Sequence, residues 1–102
     1  MARDVVLRPS ALADLKELHD FIERDSPANA AHYVEQIEAF CMKLADFPER
    51  GMRRDDLKPG LRVLGFRRRV NIAFVVYRDR IEIARVFYGG RDIDRAFDEG
   101  EV

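Results

Sequence analysis

Residues 61–88 read LRVLGFRRRVNIAFVVYRDRIEIARVFY, which is three apolar runs separated by charged residues. The runs are rich in β-branched and aromatic side chains, and they predict strands over Leu61–Phe66, Val70–Tyr77 and Ile81–Tyr88. The middle run is almost continuously apolar, as is typical of a central strand covered on both faces. Asp79-Arg80 leaves room only for a tight hairpin between the last two strands. We therefore expect a mainly antiparallel sheet in the second half of the chain.

The first half of the chain predicts one strand and two helices. Asp4–Leu7 is a short apolar strand pattern, and Pro9 marks a helix start, with Ser10 as an alternative cap. Apolar residues then recur at helical spacing at positions 11, 15, 18 and 22. The pair Ser26-Pro27 ends this helix and starts a second one that runs to about Asp46.

Two amphipathic helices joined by a tight turn are expected to pack as an antiparallel hairpin. Glu49–Gly60 is predicted to be a linker, and Asp92–Phe97 a short terminal helical turn. The element order is then β-α-α-β-β-β, an α+β fold with the helical hairpin on one face of a small twisted sheet. We expect the opposite face to be left, at least in part, to arginines.

Size and composition limit the class of protein. A chain of 102 residues with 47% apolar side chains suits one globular domain over residues 1–102. Cys41 is the single cysteine, so an internal disulfide is excluded, and we expect a buried thiol in a cytoplasmic protein. The sequence has no signal peptide or transmembrane run. It also lacks a Cys/His cluster, a glycine-rich phosphate loop and a Ser-His-Asp arrangement, so no metal, cofactor or small-molecule substrate is expected.

Charge is distributed unevenly although the formal net charge is −1. Acids outnumber bases up to Glu49, and from Arg50 to Arg95 the reverse holds. Arginine keeps its charge and makes forked bonds to phosphates and carboxylates, so this half predicts a docking surface for an anion. The alternative is that acids of the same chain neutralise these groups, since most surface ion pairs are weak and solvated. The surface is expected to include Arg62, Arg67, Arg68, Arg69, Arg78, Arg85, Tyr88 and Arg91.

Several strings, in their order and spacing, resemble the ParE branch of the ParE/RelE toxin superfamily. They are ADL at 13–15, HDFI at 19–22, DSP at 25–27, LADFPERG at 44–51, DDL at 55–57, PGLR at 59–62, VVYR at 75–78 and GGRD at 89–92. The chain departs from the family at His19, where tryptophan is common, and at Tyr88, where many relatives have histidine.

The resemblance implies a toxin of a type II toxin–antitoxin pair. Its partners would be a ParD-like antitoxin, whose C-terminal segment folds on binding, and DNA gyrase with its DNA, with no membrane involved. Such a toxin acts by binding and has no chemistry of its own, so no catalytic residue is expected. The antitoxin would cover the arginines together with an apolar groove near Phe21, Tyr33 and Phe40, or would add a strand to a sheet edge.

Two alternatives remain open. RelE-like relatives cut messenger RNA on the ribosome, and here Arg69, Arg85, Tyr88 and Arg91 would carry that activity. A convincing general base is missing, because His19 is expected in the packed hairpin, His32 in solvent, and Glu82 and Asp92 in ion pairs. The last alternative is an inactive relative kept for antitoxin binding or repression.

Overall fold

The computed structural model describes residues 3–89, which form two helices on one face of a five-stranded mixed sheet. The strands are β1 (Asp4–Leu7), β2 (Met52–Arg53), β3 (Leu61–Phe66), β4 (Val70–Val76) and β5 (Arg80–Tyr88). The helices are α1 (Pro9–Glu23) and α2 (Pro27–Met42), and a 3₁₀ turn at Lys43–Ala45 follows α2. The predicted α+β fold is therefore confirmed; Asp92–Phe97 lies outside the described residues.

The strand order across the sheet is β1-β5-β4-β3-β2. Strands β2 to β5 pair antiparallel, and β1 runs parallel to β5 with Val5 opposite Ile81. A β-bulge interrupts the β4–β5 pair: Phe74 lies opposite Ile83 and Ala73 opposite Arg85, so Ala84 is the extra residue. Strand β4 lies in the centre, as its continuous apolar run predicts.

Two details of the first half differ from the sequence prediction. Ser10 does not cap α1; the N-cap is Arg8, and the Ser10 hydroxyl donates to the Ala84 carbonyl oxygen at 2.7 Å. Pro9 already occupies the first helical position, so Ser10 falls inside the helix. The predicted linker contains the short strand β2, because Gly51 (φ +83°) turns the chain beside β3. A Cβ at position 51 would lie 2.6 Å from the Val63 carbonyl oxygen.

The main core lies between the hairpin and the sheet. Its largest fully buried side chains include Ile37, Phe74 and Ile83, and the stripe Ala11, Leu15, Leu18 of α1 packs against them as predicted. Burial of side chains of this size stabilises the fold by roughly 1.5–3 kcal/mol each. The hairpin and the sheet are therefore held together chiefly by apolar burial.

The opposite face of the sheet carries a second, smaller apolar cluster. It is formed by Leu61, Ala73, Val75 and Phe87, with Leu57 and Val63 packed at its margin. The expectation that arginines take this face is thus wrong for its centre. Both faces of a central strand tend to be covered, and Leu57 of the β2–β3 segment packs against this one.

Candidate functional site

Three successive arginines, Arg67, Arg68 and Arg69, form the turn between β3 and β4 and are all exposed. Arg67 and Arg68 have φ values of 51° and 67°, a left-handed conformation that side chains larger than glycine or asparagine seldom adopt. The Arg69 carbonyl oxygen accepts a hydrogen bond from Gly89 N–H at 2.8 Å, which ties the turn to the end of β5. The turn therefore holds three cations in a fixed and locally costly backbone.

The aromatic side chain that precedes this turn anchors it to α2. The Phe66 ring lies 4.9 Å from the Phe40 ring and 6.4 Å from the Tyr33 ring, measured between centroids. The Arg67 guanidinium lies over Phe66, 5.2 Å from its centroid. Burial raises the pKa of Tyr33, while the charges of Arg67 and Arg69 oppose that shift. Tyr33 therefore stays a neutral phenol beside the cations.

Nine basic residues of the described chain fall into two groups that differ in whether a carboxylate lies nearby. Arg8 and Arg80 both bond to Glu82 at 2.7 Å, Arg53 bonds to Asp55, and Arg54 bonds to Asp56. By contrast, Lys43, Arg50 and the three turn arginines have no carboxylate within 4.0 Å among residues 3–89. Internal neutralisation thus applies to the first group, whereas no carboxylate of the described segment 3–89 pairs with the second.

Arg85 is the clearest correction to the sequence prediction. Its side chain is buried, with 8% of the residue exposed, and its Nε and Nη2 donate to the two Asp14 oxygens at 2.7 and 2.9 Å. Asp14 also accepts from Val86 N–H at 2.9 Å. Strand β1 ends at Leu7, so α1 lines the rest of the β5 edge and supplies these polar partners. Arg85 therefore does not lie on an exposed cationic surface.

The other predicted residues do not form one patch with the turn. Arg62 is half-buried within β3, and Arg78 is exposed in the β4–β5 hairpin. Arg78 lies at the far end of β4 from Arg67–Arg69, roughly 20 Å away at the rise of an extended strand. Charges so far apart are screened from each other, since the Debye length at physiological ionic strength is about 8 Å. Arg91 lies outside the described residues.

Tyr88, at the end of β5, does lie near the turn. Its partner across the sheet is Val70, and its ring contacts the Phe21 ring at 5.8 Å between centroids. It is half-buried against the main core and lines a groove of about 600 Å³ beside α1. Tyr88 thus packs at the edge of the main core, and Phe21 beside it is about half exposed.

A general base is not evident in the described part of the chain. Hydrogen bonds from Arg80 and Arg8 lower the pKa of Glu82, so its carboxylate is a poor proton acceptor. His32 is exposed, as expected, and its ring contacts Gln36 at 2.9 Å. His19 is partly buried, and its Nδ1 lies 3.3 Å from a Glu23 carboxylate oxygen, so it lies at the margin of the hairpin and not in the core. Asp92 lies outside the described residues.

Two further groups carry atoms of the type that bind a metal or act as a nucleophile. His19, Asp20 and Glu23 bring ligand-type atoms within 4.8 Å of one another on α1, but all three lie in contact with solvent and Asp20 already pairs with Lys16. Cys41 is fully buried, and this burial raises its pKa to about 12. The thiol is therefore protonated at neutral pH and unsuited to nucleophilic attack.

Sequence reasoning missed Lys43, Arg50 and Phe66 as neighbours of the arginine turn. Lys43 belongs to the 3₁₀ turn after α2, and Arg50 lies over the Phe40 ring at 5.8 Å. These residues come from three separate elements, so no spacing within one element could reveal them. Phe66, directly before Arg67-Arg68-Arg69, is the one local signal of an aromatic beside the cations.

The comparisons with known proteins agree with the resemblance noted in the sequence. Residues 5–93 match the family described as the ParE toxin of the type II toxin–antitoxin system, parDE. A solved structure described as a chromosomal ParDE system from P. aeruginosa is similar, with a TM-score of 0.74 and 24% identity. The match covers 86% of this chain and 97% of that one. No curated protein matches.

Within the described residues no helix is long and apolar enough to cross a membrane.

Proposed function

The chain belongs to the ParE toxin family of type II toxin–antitoxin systems, and we propose that it arrests growth by binding the complex of DNA gyrase with DNA. The observation that carries this proposal is the turn Arg67–Arg69, whose three charges have no carboxylate partner among residues 3–89. Such groups bind phosphate or carboxylate oxygens without first breaking an internal ion pair. The protein would act in the cytoplasm as a binder rather than as an enzyme.

We propose that a ParD-like antitoxin silences the toxin by covering this charge and nearby apolar surface. Phe21 is 52% exposed and Met52, on the edge strand β2, is 69% exposed, so apolar surface is present for a folding segment. Both sheet edges, β1 and β2, are also open to strand addition among the described elements. Antitoxin association should slow as ionic strength rises, because opposite charges steer the encounter. On-rates that do not change with salt would show that the arginine turn does not steer the antitoxin.

A supercoiling assay with purified gyrase tests the target. The wild-type protein should inhibit supercoiling and accumulate cleaved DNA. For a variant with Arg67→Gln, Arg68→Gln and Arg69→Gln, the concentration that gives the same inhibition should rise at least about tenfold. The reason is that each lost bond to an oxyanion costs roughly 1.5–3 kcal/mol. Arg24→Gln is the matched control, because it removes an exposed cation at the end of α1. Equal inhibition by the triple variant and the wild type would remove the turn from the mechanism.

The endoribonuclease alternative has less support from the geometry. Arg85, a candidate cation for RNA cleavage, is paired with Asp14. Glu82, a candidate general base, is paired with two arginines. Tyr88→Phe separates the two activities. Retained growth arrest with an SOS response fits gyrase, whereas lost arrest together with the loss of cut messages in ribosome profiling would favour RNA cleavage. A chain that is not toxic when expressed alone would instead be an inactive relative.

A further inference from the structure

A small cleft lies between α2 and the β3–β4 turn. Its volume is about 220 Å³, and it is lined by Gln36, Ala39, Phe40, Lys43, Phe66 and Arg67. The contacting rings of Phe40 and Phe66 form its apolar part. The Arg50 guanidinium lies over the Phe40 ring, 5.8 Å from its centroid, and is therefore next to the cleft. Among the described residues, the lining contains two aromatic rings and two cations and no carboxylate.

The cations around the cleft are arranged for an oxyanion. The guanidinium groups of Arg50 and Arg67 lie 5.8 and 5.2 Å from the centroids of the Phe40 and Phe66 rings. A contact with a ring face does not use up the five N–H donors of a guanidinium, so donors remain for a ligand. Neither group, nor Lys43, has a carboxylate within 4.0 Å among residues 3–89. Three positive charges around one small hollow, with no paired carboxylate in the described part of the chain, favour a ligand that carries several negative charges.

The aromatic part indicates what the oxyanions are attached to. Phe40 and Phe66 are only half-buried, so ring surface remains in contact with solvent. Proteins that bind single-stranded nucleic acid combine a cationic groove along the backbone with aromatic side chains on which bases stack. An acidic amphipathic helix would instead need an elongated apolar groove for anchors on successive turns. A hollow of about 220 Å³ suits one planar base better than a row of such anchors.

We propose that this cleft binds single-stranded nucleic acid, with an unpaired base against Phe40 and Phe66 and the neighbouring phosphates on Arg67, Lys43 and Arg50. This is a binding activity of the chain alone, without gyrase and without antitoxin. It therefore goes beyond the function proposed above.

Fluorescence anisotropy of the purified chain with a labelled oligothymidylate of about 12 nucleotides tests the proposal, since such a strand spans one typical site. The comparison ligands are an abasic oligomer of equal length and an acidic peptide with Leu at positions i, i+3, i+4 and i+7 and Glu between them, which is the pattern of an amphipathic helix. The wild type should bind oligothymidylate about tenfold more tightly than the abasic strand, because only the former can stack. Phe40→Leu should narrow that ratio, since it keeps an apolar side chain but removes the ring.

The charge variant reports on phosphate contacts. Lys43→Gln with Arg67→Gln should weaken binding of both oligomers by about tenfold or more, and should reduce the slope of log affinity against log salt by about 1.4. Arg24→Gln should leave both values at those of the wild type. Far-UV circular dichroism confirms that each variant is folded. If Phe40→Leu does not fold, the ratio of the wild-type affinities for oligothymidylate and for the abasic strand still shows whether a base stacks in the cleft.

Two results would overturn the proposal. Equal affinity for the oligothymidylate and the abasic strand would show that no base enters the cleft. Tighter binding of the acidic peptide than of either oligomer would make the cleft a protein-docking site. The anisotropy assay contains no gyrase, so its result does not depend on whether the protein inhibits gyrase. If no oligomer binds the cleft, gyrase inhibition can still be tested by the supercoiling assay.

Discussion

Removal of the Asp14 carboxylate should destabilise the fold more than any exposed charge change. Asp14 lies in α1 with 6% of its surface exposed, and it accepts hydrogen bonds from Arg85 Nε, Arg85 Nη2 and Val86 N–H. In Asp14→Ala the Arg85 guanidinium stays buried without this carboxylate, and the Val86 N–H loses its acceptor. The expected result is a large loss of stability with the fold otherwise retained.

The magnitude follows from these contacts. Breaking a buried ion pair by removing one partner costs roughly 3–5 kcal/mol. A domain of this size has a free energy of unfolding of roughly 5–15 kcal/mol, so the variant loses a large share of it. At about 4–8 °C per kcal/mol, the midpoint of thermal unfolding should fall by about 12 °C or more.

Urea unfolding followed by far-UV circular dichroism measures the change. Asp14→Leu with Arg85→Met removes both charges together, and it should cost less than the single variant because no guanidinium charge is left buried. The Val86 N–H still loses its Asp14 acceptor, at about 1–3 kcal/mol. Asp20→Asn, which breaks an exposed pair with Lys16 on the same helix, serves as the control and should unfold like the wild type. A loss in Asp14→Ala below about 1 kcal/mol, the range of a surface pair, would refute the reasoning.

Three further predictions concern stability and reactivity. Hydrogen bonds from arginines lower the pKa of Glu82 below its ordinary 4.5, so its contribution to stability is present above that pH and is lost as pH falls through the lowered value. The difference in urea midpoint between the wild type and Glu82→Gln should therefore shrink in acid, and a constant difference would contradict the assignment. Cys41, with its pKa raised to about 12, should react with a thiol reagent slowly in the native state and rapidly in denaturant; fast native labelling would show that the thiol is accessible. Asn and Gly adopt positive φ more readily than Arg, so Arg67→Asn with Arg68→Gly should remove backbone strain and stabilise the fold by about 1 kcal/mol or more. The same variant should inhibit gyrase less, because it removes two cations. If thermal unfolding shows no stabilisation, the turn is not strained.

Most secondary structure could be read from the chain because it depends on local pattern. The apolar runs gave the bounds of β3 to β5 to within one residue, and the proline signals gave the starts of α1 and α2. The two-residue strand β2 has no apolar pattern of its own. It exists because Gly51 allows the chain to turn and lie along β3, which is a long-range contact.

The candidate site divides in the same way. The sequence by itself determined that the second half is rich in fixed cations and that three of them occupy one turn, because arginine keeps its charge in any surroundings. Only the tertiary structure decided which cations are free. Arg85 meets a carboxylate 71 positions earlier in the chain, whereas Arg67 lies over Phe66 and lines the same small cleft as Phe40 and Lys43. Pairing depends on distances of a few ångströms between segments far apart in sequence, and those distances are set by how the helices pack on the sheet.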